Sequence, residues 1–233
     1  MDPIYVALST YERPGPLEDL LWDLIAERGH RRLVVEVFDD ASSADYSEAK
    51  RILEHEGWRY TRSPERRGYL AGVRAAHAAA RGRVGKHNFF LPDDVRLCDG
   101  FFSRAIDAWE QIEDPNKMAL NLLVDSREHS TCWTGQLPVD RGHVVSTGWF
   151  DGVVLVPQYY FEHLDYEVRQ TRLRSDGGWA QISDRLHHEG YGLYRVRDSL
   201  VLHGHLPSVM HPEARKQFPL HSVRFVGSVR LGG

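Results

Sequence analysis

Strand and helix patterns alternate three times over the first 94 residues, and this alternation limits the fold more than any other feature of the chain. PIYVALST (3–10) is a short apolar run of strand length. Pro16 then suits a first helical turn, and Leu17, Leu20, Leu21, Leu24 and Ile25 recur at helical spacing up to Gly29. RLVVEVF (32–38) is rich in β-branched residues, and DDASSADYSEAKRILEHEG reads as a turn and a helix ending near Gly57. WRYTRS (58–63) predicts a weak strand and GYLAGVRAAHAAARG an alanine-rich helix closed by Gly82. KHNFFL (86–91) predicts another strand, cut off by PDD. Such alternation implies right-handed crossovers and a mostly parallel sheet with helices on its faces. Ligands of such sheets bind at the carboxyl ends of the strands. The segments there are TYERP, DDASS and PDD, all polar, acidic or turn-forming.

The second half is less regular. FFSRAIDAWEQI (101–112) predicts a helix and MALNLLV (118–124) a strand. Asp125 to Asp151 reads as loop-rich, and GVVLVP (152–157) as a strand stopped by Pro157. SDGGWAQISDRLHHEG (175–190) predicts a capped helix, and YGLYRV with SLVLHGH a strand pair around Asp198. No repeat or linker interrupts the 233 residues, so a single α/β domain is expected. No apolar run approaches the roughly 20 residues of a membrane span, and the first residues lack the basic region of a signal peptide. With only Cys98 and Cys132, and no CxxC, a disulfide framework or zinc site is not expected. These features point to a reducing cytoplasm.

Several chemistries are disfavoured by missing motifs. No GxGxxG follows the first strand and no GxxxxGK[ST] occurs, which speaks against dinucleotide oxidoreductases and phosphate-loop ATPases. HExxH and GxSxG are absent too. What remains is two acidic pairs at strand ends, Asp39–Asp40 and Asp93–Asp94. A carboxylate there can accept hydrogen bonds from a base or ribose, cap the next helix, or hold a divalent cation against a diphosphate. Mg2+ and Mn2+ need only one or two carboxylates and keep positions open for phosphate oxygens.

VALSTYERP, VEVFDDAS and ERRGYLAGVRAAHAAARGRVGKHNFFLPDDVRL, in that order, resemble the GT-A fold glycosyltransferases, especially family 2. The resemblance covers about residues 4–100. It implies a Rossmann-like N-terminal half (1–100) that binds a nucleotide-diphosphate sugar and a smaller mixed acceptor half (101–233). It further implies that Thr10 and Tyr11 line the nucleotide pocket and that Asp40, with Asp39 beside it, reads the base. Arg67 and Gly68 would begin the helix that approaches the diphosphate, Asp93 would face the ribose, and Asp94 would bind Mn2+ or Mg2+. Pro92 replaces the first acid of the family's DxD, which leaves one carboxylate fewer for the metal.

A weaker similarity spans 150–210. WFDGVVLVP resembles the strand before the acceptor loop, and DRLHHEGYGLYRVRDSLVLHGHLPS the family's closing segment, whose histidine joins the metal in some relatives. His203 is the match and His205 the second candidate. Gly178 and Trp179 stand where inverting members carry the carboxylate of the general base. Asp176, two or three residues earlier, is then either the base that deprotonates the acceptor or a helix cap, and the stereochemistry stays open. Trp133, Trp149 and Trp179 flank the acceptor side as stacking or core residues.

The expected activity is transfer from a nucleotide-diphosphate sugar, UDP-linked by default, to a hydroxyl of a glycan, protein or small molecule, or of a hydroxymethylated DNA base as in phage enzymes. The host compartment would be the cytoplasm of a bacterium or of a phage-infected cell. From Arg195 onward six basic residues, among them Arg215, Lys216, Arg224 and Arg230, face only Asp198 and Glu213, a balance that suits phosphate contacts. Two other classes compete: a nucleotide-sugar-binding protein without catalysis, and a nucleotidyltransferase. The latter fits less well, because TYERPGP lacks a glycine-rich loop.

Overall fold

A computed structural model of the chain describes residues 2–83, 85–124, 142, 144–163, 178–203 and 225–226. The first half follows the alternation: β1 (Ile4–Thr10), α1 (Pro14–Glu27), β2 (Leu33–Asp39), α2 (Ser47–His55), β3 (Arg59–Arg62), α3 (Tyr69–Arg81) and β4 (His87–Pro92). The second half adds β5 (Val95–Leu97), α4 (Phe101–Glu110), β6 (Lys117–Asn121), β7 (Val144–Thr147), β8 (Val154–Pro157), α5 (Tyr160–His163), α6 (Gly178–His188), β9 (Gly192–Val196) and β10 (Val201–His203).

One eight-stranded sheet runs in the order β3-β2-β1-β4-β8-β6-β9-β7. The pairs among β1 to β4 are parallel, as is β6 with β9, whereas β8 runs against both β4 and β6 and β7 against β9. Alternate residues of each strand feed opposite cores. From β1, Ile4, Val6 and Leu8 join Leu17, Leu20 and Leu24 of α1 and Phe101 and Phe102 of α4. Tyr5 and Ala7 join Val73, Ala76 and Ala80 of α3 and Ile182 and Leu186 of α6. In β4, Phe89 belongs to the first core and Phe90 to the second. The result is an α/β/α sandwich in which the sheet, apolar on both faces, carries the loops of its carboxyl edge as a fixed row.

The expected pairing of the last two strands is not what forms. β9 lies in the main sheet between β6 and β7, with Leu193 in one core and Tyr194 in the other. β10 leaves it and pairs antiparallel with β5, placing His203 opposite Val95. Val95, Leu97 and Val201 of this ribbon bury together in the first core, which accounts for the separation. Residues 144–147, taken for loop in the sequence, form the edge strand β7. Cys98 is fully buried, and burial pushes its thiol up to about 11, as fits an unreactive core residue.

Candidate active site

Register brings three strand ends together: Thr10 pairs with Asp39 and Ser9 with Pro92. The backbone N–H of Asp40 donates to Thr10 O at 3.2 Å and that of Asp93 to Ser9 O at 3.1 Å, so both acidic turns leave the sheet beside β1. The two pairs named from sequence therefore meet at one edge.

Their side chains are held differently. Thr10 Oγ1 donates to Asp93 Oδ2 at 2.7 Å and lies 2.9 Å from Tyr46 Oη. Asp39 has no exposed side-chain surface; it accepts from Ser42 and, at 2.6 Å, from Tyr60 Oη. Asp40 accepts from the N–H groups of Arg67 and Gly68, both at 2.8 Å, and so pins the chain entering α3. Gly68 sits at φ +82°, a conformation glycine adopts without strain. The Arg66 guanidinium lies 4.2 Å from the centre of the Tyr11 ring, over the same loops. Asp39 is thus a brace, and its loss of a partner is measurable. Tyr60→Phe removes a donor from an enclosed carboxylate and should cost about 2 kcal/mol in urea unfolding.

Asp94 faces Arg13 and His203. Arg13 Nη1 donates to its Oδ2 at 2.6 Å and reaches Asp93 Oδ1 at 3.4 Å. His203 Nε2 lies 3.6 Å from Asp94 Oδ1, and both side chains are under 10% exposed. The β5–β10 ribbon makes this meeting possible, because it carries His203 back to the turn that follows β4. Metal–oxygen bonds of about 2.0–2.1 Å put neighbouring ligands of an octahedral ion about 3 Å apart and opposite ones about 4 Å apart. The Asp94 and His203 atoms, 3.6 Å apart, lie between those two spacings, so a closing shift of about 0.6 Å would set the pair as neighbouring ligands of one divalent cation. No group of three or more His, Cys, Asp or Glu side chains placed to hold a metal ion occurs among the described residues. Burial, and then the Asp94 charge, push the Asp93 carboxyl up to about 7 against the pull of Thr10 and Arg13.

Arg13 was not singled out from sequence, although its place directly beyond β1 was a signal. Tyr69 and Asp151 are further additions. Burial and the charges of Asp151 and Asp94 raise the Tyr69 phenol well above its ordinary value, which puts all three in one electrostatic neighbourhood. Next to Asp151, a Cβ on Gly152 would stand 2.9 Å from Tyr69 Oη and 3.1 Å from Trp179 Nε1, so any larger residue would have to push the phenol or the indole aside. Trp179 itself is buried against Phe90, Phe150 and His77 and serves the core. Asp176, Cys132, Trp133, His205, Arg215, Lys216, Arg224 and Arg230 lie outside the described residues.

No protein-family model matches the chain. No curated protein sequence matches it either. Solved structures do. A mannosyltransferase from Pyrobaculum calidifontis, in complex with GDP-Man and Mn2+, superposes over 90% of this chain and 59% of its own, with a TM-score of 0.63 and 18% identity. GalNAc-T7 with UDP, GalNAc and Mn2+ matches over 84% of this chain and 42% of its own (TM-score 0.60, 11% identity). TarS residues 1–349 from S. aureus match over 85% and 59% (TM-score 0.54, 11% identity). The chain therefore spans at most about six-tenths of the length of these proteins. Its described helices include none long and apolar enough to cross a membrane. At these identities the likeness is one of architecture, and the architecture is that of a GT-A-like α/β domain.

Proposed function

We propose that the chain is a metal-dependent glycosyltransferase, built as one GT-A-like domain, that moves a sugar from a nucleotide-diphosphate donor to an acceptor hydroxyl. The observation that carries this reading is the meeting of Asp94 and His203, distant in sequence, beside the buried Thr10–Asp93 pair at the carboxyl edge of the sheet.

Each neighbouring group has a task in that reaction. Thr10 and Tyr11 line the nucleoside, with the Tyr11 ring steadied by Arg66. Asp40 lies at the base and fixes Arg67 and Gly68, so the positive end of α3 is aimed at the diphosphate. Asp39 acts through the turn it braces, and Asp93 accepts from the ribose hydroxyls. Asp94 and His203 would hold Mn2+ or Mg2+, which neutralises charge on the departing diphosphate. Arg13, already balancing Asp93 and Asp94, supplies further positive charge at the same place. Asp176 is the candidate for taking the acceptor proton as the hydroxyl attacks the anomeric carbon. The acceptor class spans glycans, proteins, small molecules and hydroxymethylated DNA bases.

Structural neighbours holding GDP-Man and UDP make GDP-mannose and UDP-sugars the first donors to test. With Mn2+, one of them should release nucleoside diphosphate, and EDTA should lower the release at least tenfold. Donors that raise the melting temperature without any release would identify a binding protein instead. A panel giving neither effect would end the sugar-transfer reading.

A further inference from the structure

A charged cavity lies at the end of the sheet opposite the candidate active site. It has a volume of about 690 Å3 and opens between the α1–β2 and α2–β3 connections. Leu33, at the start of β2, lies in its wall, whereas Asp39 ends the same strand at the candidate active site. Six residues of strand rise separate the two by roughly 20 Å. The cavity is within the size range of small-ligand sites.

Five arginines line it, Arg28, Arg31, Arg32, Arg59 and Arg83, against two carboxylates, Glu36 and Glu56. The carboxylates are already engaged. Glu56 accepts from Arg28. Glu36, enclosed in the wall, accepts from Arg83 at 3.0 Å and lies 3.8 Å from Arg59. Arg31 donates at 2.7 Å to a neutral partner, Ser103 Oγ, and Arg32 is exposed at the rim. Neither has a carboxylate partner among the described residues. Trp58, partly buried, supplies an apolar wall beside these guanidiniums.

Guanidiniums concentrated in a concave site repel one another until an anion enters, and their planar forks match phosphate oxygens two at a time. We propose that this cavity is a binding site for a phosphorylated small molecule, gripped through its phosphoryl groups by Arg31 and Arg32 with Arg59 at the side. The site is separate from the one at Asp94 and does not depend on sugar transfer.

Calorimetric titration with inorganic pyrophosphate, and separately with UDP, tests this in low-salt buffer with EDTA, where no activity is read. Both probes should bind. Arg31→Ser with Arg32→Ser should weaken pyrophosphate binding at least tenfold, whereas Asp94→Ala should leave this site unchanged. Equal affinities for the two probes would mean a site that reads phosphate alone. Tighter UDP binding, lost in the same double variant, would mean a nucleotide resting on Trp58. Arg32→Ser alone changes an exposed side chain and serves as the folded control, with a threefold or larger loss expected. Affinities unchanged in both arginine variants, or no binding of either probe, would overturn the proposal.

Discussion

Asp94→Ala should lower donor turnover about 100- to 1,000-fold, the usual loss when one preorganised electrostatic group is taken from a site where charge develops. The expectation rests on geometry. Asp94 is the carboxylate that Arg13 and His203 approach from two sides, at 2.6 and 3.6 Å. With alanine there, Arg13 and His203 both lose the carboxylate they share, and Asp93, 3.4 Å from Arg13, is left as the nearer acid. Cation binding should fall with turnover, so Mn2+ affinity measured by electron paramagnetic resonance gives a second readout. Arg13→Gln should move that affinity the other way, upward by about tenfold, because an opposite charge beside a carboxylate competes for it. Unchanged nucleoside diphosphate release in Asp94→Ala, from a protein of normal melting temperature, would remove Asp94 from the chemistry.

The order of elements up to Pro92 was legible because each has a local signal: the leucine spacing of α1, the β-branched run of β2, the turn residues after each strand. The convergence of Asp40 and Asp93 followed from that order, since parallel strands bring their carboxyl ends to one edge. Long-range choices left no such local trace. SLVLHGH has the pattern of a strand, but its partner was decided by the burial of Val201 with Val95 and Leu97, far away in sequence. VVST is too short and too mixed to be distinguished from loop, and it becomes a strand only because Val196 to Leu193 offer it an edge. Asp39 and Asp40 look equivalent in sequence, yet one is enclosed by Ser42 and Tyr60 and the other caps a loop. Arg13 stood in plain view in TYERP, but a lone arginine acquires meaning only when Asp93 and Asp94 arrive beside it.

Lowering the pH from 7 to 4 should remove about 3 kcal/mol of stability through His77 alone. Its ring is fully buried in the second core, stacked 4.5 Å from Phe90 and 5.0 Å from Trp179. Nδ1 lies 2.7 Å from Val73 O and must donate to it, so Nε2 accepts from Tyr160 Oη at 3.0 Å. Burial disfavours the charged ring and lowers the imidazole to about 4 despite the Val73 carbonyl. In the unfolded chain the same group titrates near 6.5. Above about 6.5 both states are neutral and the full stability is present. Between 6.5 and 4 the unfolded chain binds a proton that the folded chain refuses, so stability falls as pH falls. Below 4 the folded ring must charge as well, and the loss levels off. Urea unfolding of the parent and of His77→Gln across this range isolates the contribution, because every other group titrates in both. The two curves should diverge by about 3 kcal/mol, with the variant the flatter; parallel curves would contradict the buried neutral ring. The consequence reaches the candidate active site through α3, since the helix that His77 fastens to Tyr160 is the one whose N-cap, Gly68, is pinned to Asp40.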